Sequence, residues 1–173
     1  MSRENFKNWV CKAVEMEEKG KAFYEQAAKE CTTQMGQKIF SMLRDDEIQH
    51  IQRIREIEKA LDQDSGLEQA CCMDDMGSDA GQAFKELAEK VKSEKPCDST
   101  AKALNAGIDF ELALVKFYEE ALEKASEDLE RDFLKRMIQE EKGHYVLLSD
   151  MQYYYEDPEG WALGKARSGL DGA

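Results

Sequence analysis

Proline is scarce, with only Pro96 and Pro158 in 173 residues. Aromatic residues make up 9%, and long stretches are built instead from Ala, Leu, Glu, Lys, Gln and Met. These residues lose little rotamer freedom in a helix, so the composition favours helices throughout. No run of about 18 apolar residues occurs, and no membrane span is expected. The first five residues, Met1 to Asn5, hold no apolar core of a signal peptide. A cytoplasmic protein is the default expectation. Basic charge is in deficit: 24 Lys and Arg stand against 37 Asp and Glu, a formal net charge of −13. Nucleic acid is therefore not an expected partner, because phosphate binding needs a basic patch.

Cysteine pairs with metal-site spacing are also missing. The five cysteines stand at 11, 31, 71, 72 and 97. An odd count without regular spacing is no disulfide framework, and the lack of any C-x-x-C excludes a zinc-ribbon or rubredoxin type of site. Cys71-Cys72 reads as a pair of loop thiols kept reduced in the cytosol, with a redox or metal role as the alternative.

What is present is helical periodicity. Phe6, Val10, Ala13, Gly20, Tyr24, Ala27 and Cys31 form a stripe on a first helix of about residues 3–31, broken by Thr32 to Gly36. Phe40, Leu43, Ile51, Ile54 and Leu61 line a second helix of about 37–61. A third begins after Pro96, with Asp98 or Ser99 as N-cap, and carries Leu104, Gly107, Val115, Tyr118, Leu122 and Ala125. Leu134, Met137, Leu148, Met151 and Tyr155 line a fourth of about 129–155, with Pro158 marking its end. The segment from Asp62 to Asp98 is too long for a tight turn. It contains a short amphipathic stretch from Ala83 to Val91 between Gly77, Gly81 and Pro96. The expected fold is all-α: one domain over residues 1–173, with a helical hairpin at 3–61, a crossover at 62–98, a second hairpin at 99–156 and a tail at 157–173. Short outer loops and one long middle crossover describe a ferritin-like four-helix bundle.

Each stripe has gaps filled by ionisable residues. Glu17 fills the first, Glu47 and His50 the second, Glu111 the third, and Glu141 with His144 the fourth. These are the only two histidines, and each follows a glutamate by three residues. The halves repeat at one offset of 94 residues: Glu17 and Glu111, Tyr24 and Tyr118, Glu47 and Glu141, His50 and His144. Positions i and i+3 share a helix face, so a Glu and a His so spaced can touch one ion. Two Glu-x-x-His helices and two further glutamates make six ligands for two metals, the pattern of carboxylate-bridged di-iron bundles. Four buried carboxylates without cations would each cost several kcal/mol in desolvation, or take up protons. Glu15 and Glu18 compete with Glu17, and Glu140 with Glu141. Stripe position and the shared offset favour Glu17 and Glu141. Mn, Fe and Zn all accept such ligands. Tyr24 and Tyr118 lie seven residues after Glu17 and Glu111. Each either bonds a ligand carboxylate on a neighbouring helix or is ordinary aromatic core.

The segment Glu17 to Tyr24 resembles the first-helix motif of the rubrerythrin-related proteins of the ferritin-like superfamily. Glu47-Ile48-Gln49-His50 and Glu141-Lys142-Gly143-His144 resemble their two Glu-x-x-His motifs, and Glu111 to Tyr118 their third-helix motif. Asp157 to Trp161 and Gly169 to Gly172 are similar to the tails of short rubrerythrin-like proteins. The resemblance implies a non-haem di-iron site reacting with hydrogen peroxide or dioxygen. Glu47 and Glu141 would bridge the metals, Glu17 and Glu111 would be terminal ligands, and His50 and His144 would serve one metal each. Two departures matter. The chain carries no four-cysteine rubredoxin domain, so an external electron donor such as a rubredoxin-like protein is expected. The same-face neighbours of Glu111, from Leu104 to Val115, include no extra glutamate, which counts against efficient peroxidase turnover but not against metal binding. A homodimer is the expected assembly. The leading expectation is a di-iron oxidoreductase; its rivals are an iron-oxidising or iron-handling protein and a metal-stabilised module without turnover.

Overall fold

The computed structural model describes residues 3–63, 84–88 and 97–168, and no strand occurs among them. Four long helices dominate: α1 (Arg3–Glu30), α2 (Gln34–Gln63), α3 (Asp98–Lys124) and α4 (Asp128–Glu156). A shorter α5 spans Pro158–Ser168. Cys71-Cys72, most of the expected crossover and the Gly169 to Gly172 tail lie outside the described residues.

The helix ends follow from a few polar side chains. Thr33 caps α2 by accepting from the Gly36 amide at 3.2 Å, and the Gln37 side chain donates to the Cys31 carbonyl at 2.9 Å. Gly36, expected to lie in the break, therefore belongs to the first turn of α2. A Cβ there would collide with the Cys31 sulfur, so only glycine suits the position. The α3 cap is Cys97, not Asp98 or Ser99, and its side chain caps no amide. Arg131 reaches back from α4 to the Leu122 and Ala125 carbonyls, at 3.4 and 3.2 Å, and so satisfies the end of α3.

The chain after α4 corrects a further expectation. Pro158 marks the end of α4 as expected, but it also opens α5, where its missing N–H costs nothing and its fixed φ suits the first turn. Asp157 caps that helix by accepting from the Gly160 amide at 2.9 Å. The expected tail is thus helical as far as Ser168. Trp161 packs edge-on to Tyr154 and Phe84, both at 5.4 Å between ring centres.

Two apolar clusters make up the core. Phe6, Trp9, Val10, Ile54, Ile57, Leu114, Phe133 and Leu134 belong to one. Tyr24, Ile39, Phe40, Leu43, Leu104, Leu148, Met151 and Trp161 belong to the other. Burying each Leu, Ile or Phe contributes roughly 1.5–3 kcal/mol. The assignment also gives the helix directions. The first cluster takes the start of α1 and α4 and the end of α2 and α3. So α1 and α4 run one way and α2 and α3 the other. Parallel α2 and α3 require a connection spanning the bundle, which is the ferritin-like arrangement. Helical residues 84–88, within the expected amphipathic stretch 83–91, put Phe84 and Ala88 into the second cluster.

Candidate metal centre

Between the two apolar clusters each long helix changes character. Glu17, Glu47, Glu111 and Glu141 have no exposed surface, and His50 and His144 are only 2% and 4% exposed. All six therefore meet in one layer. The competitors lie elsewhere. Glu15 is exposed, Glu18 pairs with Arg55 at 3.0 Å, and Glu140 pairs with Arg136 at 2.9 Å.

The layer has two halves. Glu17, Glu47 and His50 bring potential ligand atoms within 4.8 Å of one another, and so do Glu47, Glu111, Glu141 and His144. Glu47 belongs to both sets. His50 Nδ1 lies 3.2 Å from Glu17 Oε2 and 3.2 Å from Glu141 Oε1. His144 Nδ1 lies 3.3 Å from Glu141 Oε2, 3.6 Å from Glu111 Oε1 and 3.8 Å from Glu47 Oε1. Glu47 and Glu141 thus each present one oxygen to either imidazole's half. The two rings face each other at 5.5 Å, tilted by 21°.

Both tyrosines bond across the bundle. The Tyr24 hydroxyl donates to Glu111 Oε1, and the Tyr118 hydroxyl donates to Glu17 Oε1. Seven residues of helix place each Tyr about 10 Å from the glutamate on its own helix. Antiparallel α1 and α3 bring it to the glutamate of the other instead. Tyr24→Phe and Tyr118→Phe keep the ring and leave that oxygen short of one donor. Each is expected to lower metal affinity by about 10-fold or more, to a similar extent, as titration with Fe(II) or Co(II) would show. Unchanged affinity in both variants would refute the role.

Two further residues were not foreseen. Asp46, 8% exposed, sets its Oδ2 3.4 Å from His144 Nε2. With a metal bound, a proton on Nε2 facing Asp46 would leave Nδ1 free to act as the ligand atom. The offset of 94 pairs Asp46 with Glu140, so an acid precedes the Glu-x-x-His in both halves; that repeat was the available signal. Gly20 is the other. A Cβ there would stand 2.8 Å from Phe110 Cε1 and 3.2 Å from Glu47 Oε1. Gly20→Ala must shift Phe110 or the shared carboxylate. The variant should stay helical yet bind metal about 10-fold more weakly, by the same titration; wild-type affinity would show that Phe110 yields instead.

The donor set fits cations. Both oxygens of Glu47, both of Glu141, Glu111 Oε2 and His144 Nδ1 are buried without a hydrogen-bond partner. Each such group costs about 1–3 kcal/mol, more when charged, unless something ligates it. The electrostatics agree. Burial, with Glu17 beside it, pushes Glu47 well above the usual carboxylate range. Burial likewise raises Glu111, to about 7, against the pull of His144. Burial opposes charge on Glu141 too, but His50 and His144 outweigh it and hold Glu141 low. Burial disfavours the imidazolium forms, yet Glu141 keeps His50 protonated and Glu111 keeps His144 protonated well above the ordinary histidine range. Protons thus stand in for cations in this layer. Loading a divalent metal at pH 7 must expel them, so weakly buffered solution should acidify on titration, and affinity should rise with pH between about 6 and 8. Metal uptake without proton release would contradict the assignment.

Among the described residues no helix is long and apolar enough to cross a membrane. Neither the curated proteins nor the solved structures returned a significant match to this chain. The Rubrerythrin family model matches residues 8–152, which takes in most of α1 and α4, all of α2 and α3, and every residue of the buried layer. The repeated Glu-x-x-His helices, their shared carboxylates and this match together place the chain in the Rubrerythrin family, with a buried carboxylate and histidine cluster compatible with a di-metal site.

Proposed function

We propose that this protein is a non-haem di-iron oxidoreductase that reduces hydrogen peroxide or dioxygen. The observation that carries the reading is the sharing of Glu47 between two ligand groups, with its oxygens and those of Glu141 buried and without hydrogen bonds. Glu17 and His50 would hold one ion and Glu111 and His144 the other, with Glu47 and Glu141 reaching both. Iron so bound supplies two electrons and an open coordination position for the oxidant.

The chain's own residues supply the rest. Tyr24 and Tyr118 keep Glu111 and Glu17 oriented, and Asp46 sets the His144 proton. The apolar clusters on either side exclude bulk water, which strengthens every charge interaction between them. Beside Glu111, Leu114 and Val115 are buried and add no further ligand. Reduction of peroxide to two waters consumes two electrons and two protons. An external donor of rubredoxin type, a cytoplasmic setting and a homodimer complete the proposal.

Stopped-flow mixing of the diferrous form with each oxidant tests it. Fast oxidation followed by repeated turnover with a reductant supports an oxidoreductase. Net accumulation of ferric iron would assign iron oxidation and handling instead. Inertness to both oxidants would leave a metal-stabilised module.

A further inference from the structure

Away from the buried layer, two cysteines meet where α1 ends and α3 begins. Cys31 is 4% exposed, whereas Cys97 is partly exposed at the N-terminus of α3. One hydroxyl joins them: Thr100 Oγ1 lies 3.3 Å from the Cys31 sulfur and 3.4 Å from the Cys97 sulfur. The two sulfurs are therefore within about 7 Å of each other, and an S–S bond of about 2.05 Å requires both segments to bring them closer. The flanking contacts hold both segments together. Cys31 also meets Thr33 Oγ1 at 3.3 Å, and Cys97 meets Ser99 Oγ at 2.9 Å and the Thr32 hydroxyl.

We infer that Cys97 and Cys31 form a dithiol site that reacts with hydroperoxides and closes to a disulfide. Cys97 has the features of an attacking thiol. It is accessible, and hydrogen bonds with the hydroxyls of Ser99, Thr100 and Thr32 lower its pKa to about 6. At neutral pH it is largely thiolate, the nucleophilic form. Its sulfur attacks one peroxide oxygen, the O–O bond breaks, and hydroxide leaves and takes a proton. Cys97 is then a sulfenic acid. The Cys31 sulfur attacks the Cys97 sulfur, the S–O bond breaks, and the departing oxygen leaves as water with the Cys31 proton. In sum, two thiols and one peroxide give one disulfide and two waters. Reduction by an external thiol restores the site.

Cys11 provides the internal comparison. It is exposed, and its thiol donates to the Glu58 carboxylate at 3.5 Å, with no second cysteine among the described residues bonded to the same group. The site owes nothing to metal, so its test runs on the full chain with a chelator present and stands apart from the di-iron reading. The protein is exposed to one equivalent of hydrogen peroxide, alkylated and digested for mass spectrometry. A Cys31–Cys97 linked peptide is expected as the main product. Cys97→Ser should abolish it. Cys31→Ser should leave a Cys97 sulfenic acid that dimedone traps at an unchanged rate, about tenfold faster than any product at Cys11. Linkage of Cys97 to Cys71 or Cys72 in place of Cys31 would overturn the inference. So would equal labelling of Cys97 and Cys11.

Discussion

Glu47→Ala is expected to empty both metal positions, because one carboxylate stands in both ligand groups. Glu141→Ala should behave alike, since its two oxygens lie 3.2 and 3.3 Å from the two imidazoles. Each loss exceeds the 10- to 100-fold typical of groups that merely support a ligand, so binding should weaken by more than about 100-fold. Elemental analysis after metal loading and desalting reads the result. Metal-free Glu47→Ala should be no less stable than metal-free wild type, whereas metal-free Glu141→Ala should be less stable, because it removes the carboxylate that His50 and His144 hold charged. Burial raises Glu47 well above the usual carboxylate range, so its removal relieves a desolvation cost instead of breaking a favourable pair. This separates lost binding from lost folding. Glu140→Ala, which removes a carboxylate paired with Arg136 and not one of the six buried ligands, should keep two ions per chain. Two ions retained in Glu47→Ala would refute the shared-ligand geometry.

Removing metal from wild type should lower the melting temperature by an amount on the order of 10 °C at pH 7. A ligand that binds only the folded state stabilises it by about 4 kcal/mol at a thousandfold excess over Kd. For a chain of this size each kcal/mol is worth about 2–4 °C. The pH dependence has a definite sign. Glu111, raised to about 7, and Glu47, raised well above its ordinary value, favour the metal-free fold while protonated. That contribution is complete below about pH 4.3, the unfolded glutamate value, and is lost as pH rises through the folded values. His50 and His144, also raised, add stability below about pH 6.5 that is lost in the same upward direction. Glu141, held low, adds stability above about pH 4.3 that is lost only on acidification. Between about pH 5 and 7 the metal-free protein therefore weakens as pH rises, while metal binds better. The gap between loaded and chelated melting curves should widen over that range. Superimposable curves at pH 7 would exclude a cation from the layer.

Much of this was legible in the chain. Within one helix the chemistry is periodic, and period is a sequence property. The polar gaps in four apolar stripes located all six residues that meet in the buried layer, and the offset of 94 separated Glu17 from Glu15 and Glu18. Helix limits were legible to within a few residues. The largest discrepancy, at the start of α2, arose because Gly36 reads as a breaker; its amide in fact satisfies Thr33. Pro158 marked the end of α4 correctly but hid the start of α5. A proline that cannot continue one helix is well suited to begin the next.

By itself, then, the sequence determined an all-α bundle, a duplicated hairpin and the identity of the inward-facing acids and histidines, because these depend on spacing along one helix. The tertiary structure decided everything that depends on the rotation and register of one helix against another. It showed that Tyr24 serves Glu111 and Tyr118 serves Glu17, that Asp46 on α2 faces His144 on α4, and that Gly20 must lack a Cβ to clear Phe110 and Glu47. It also brought Cys31 and Cys97 onto one threonine, although 66 residues separate them in the chain. Side chains far apart in sequence meet only once packed helices have set their distances, and no periodicity within a single helix carries that information.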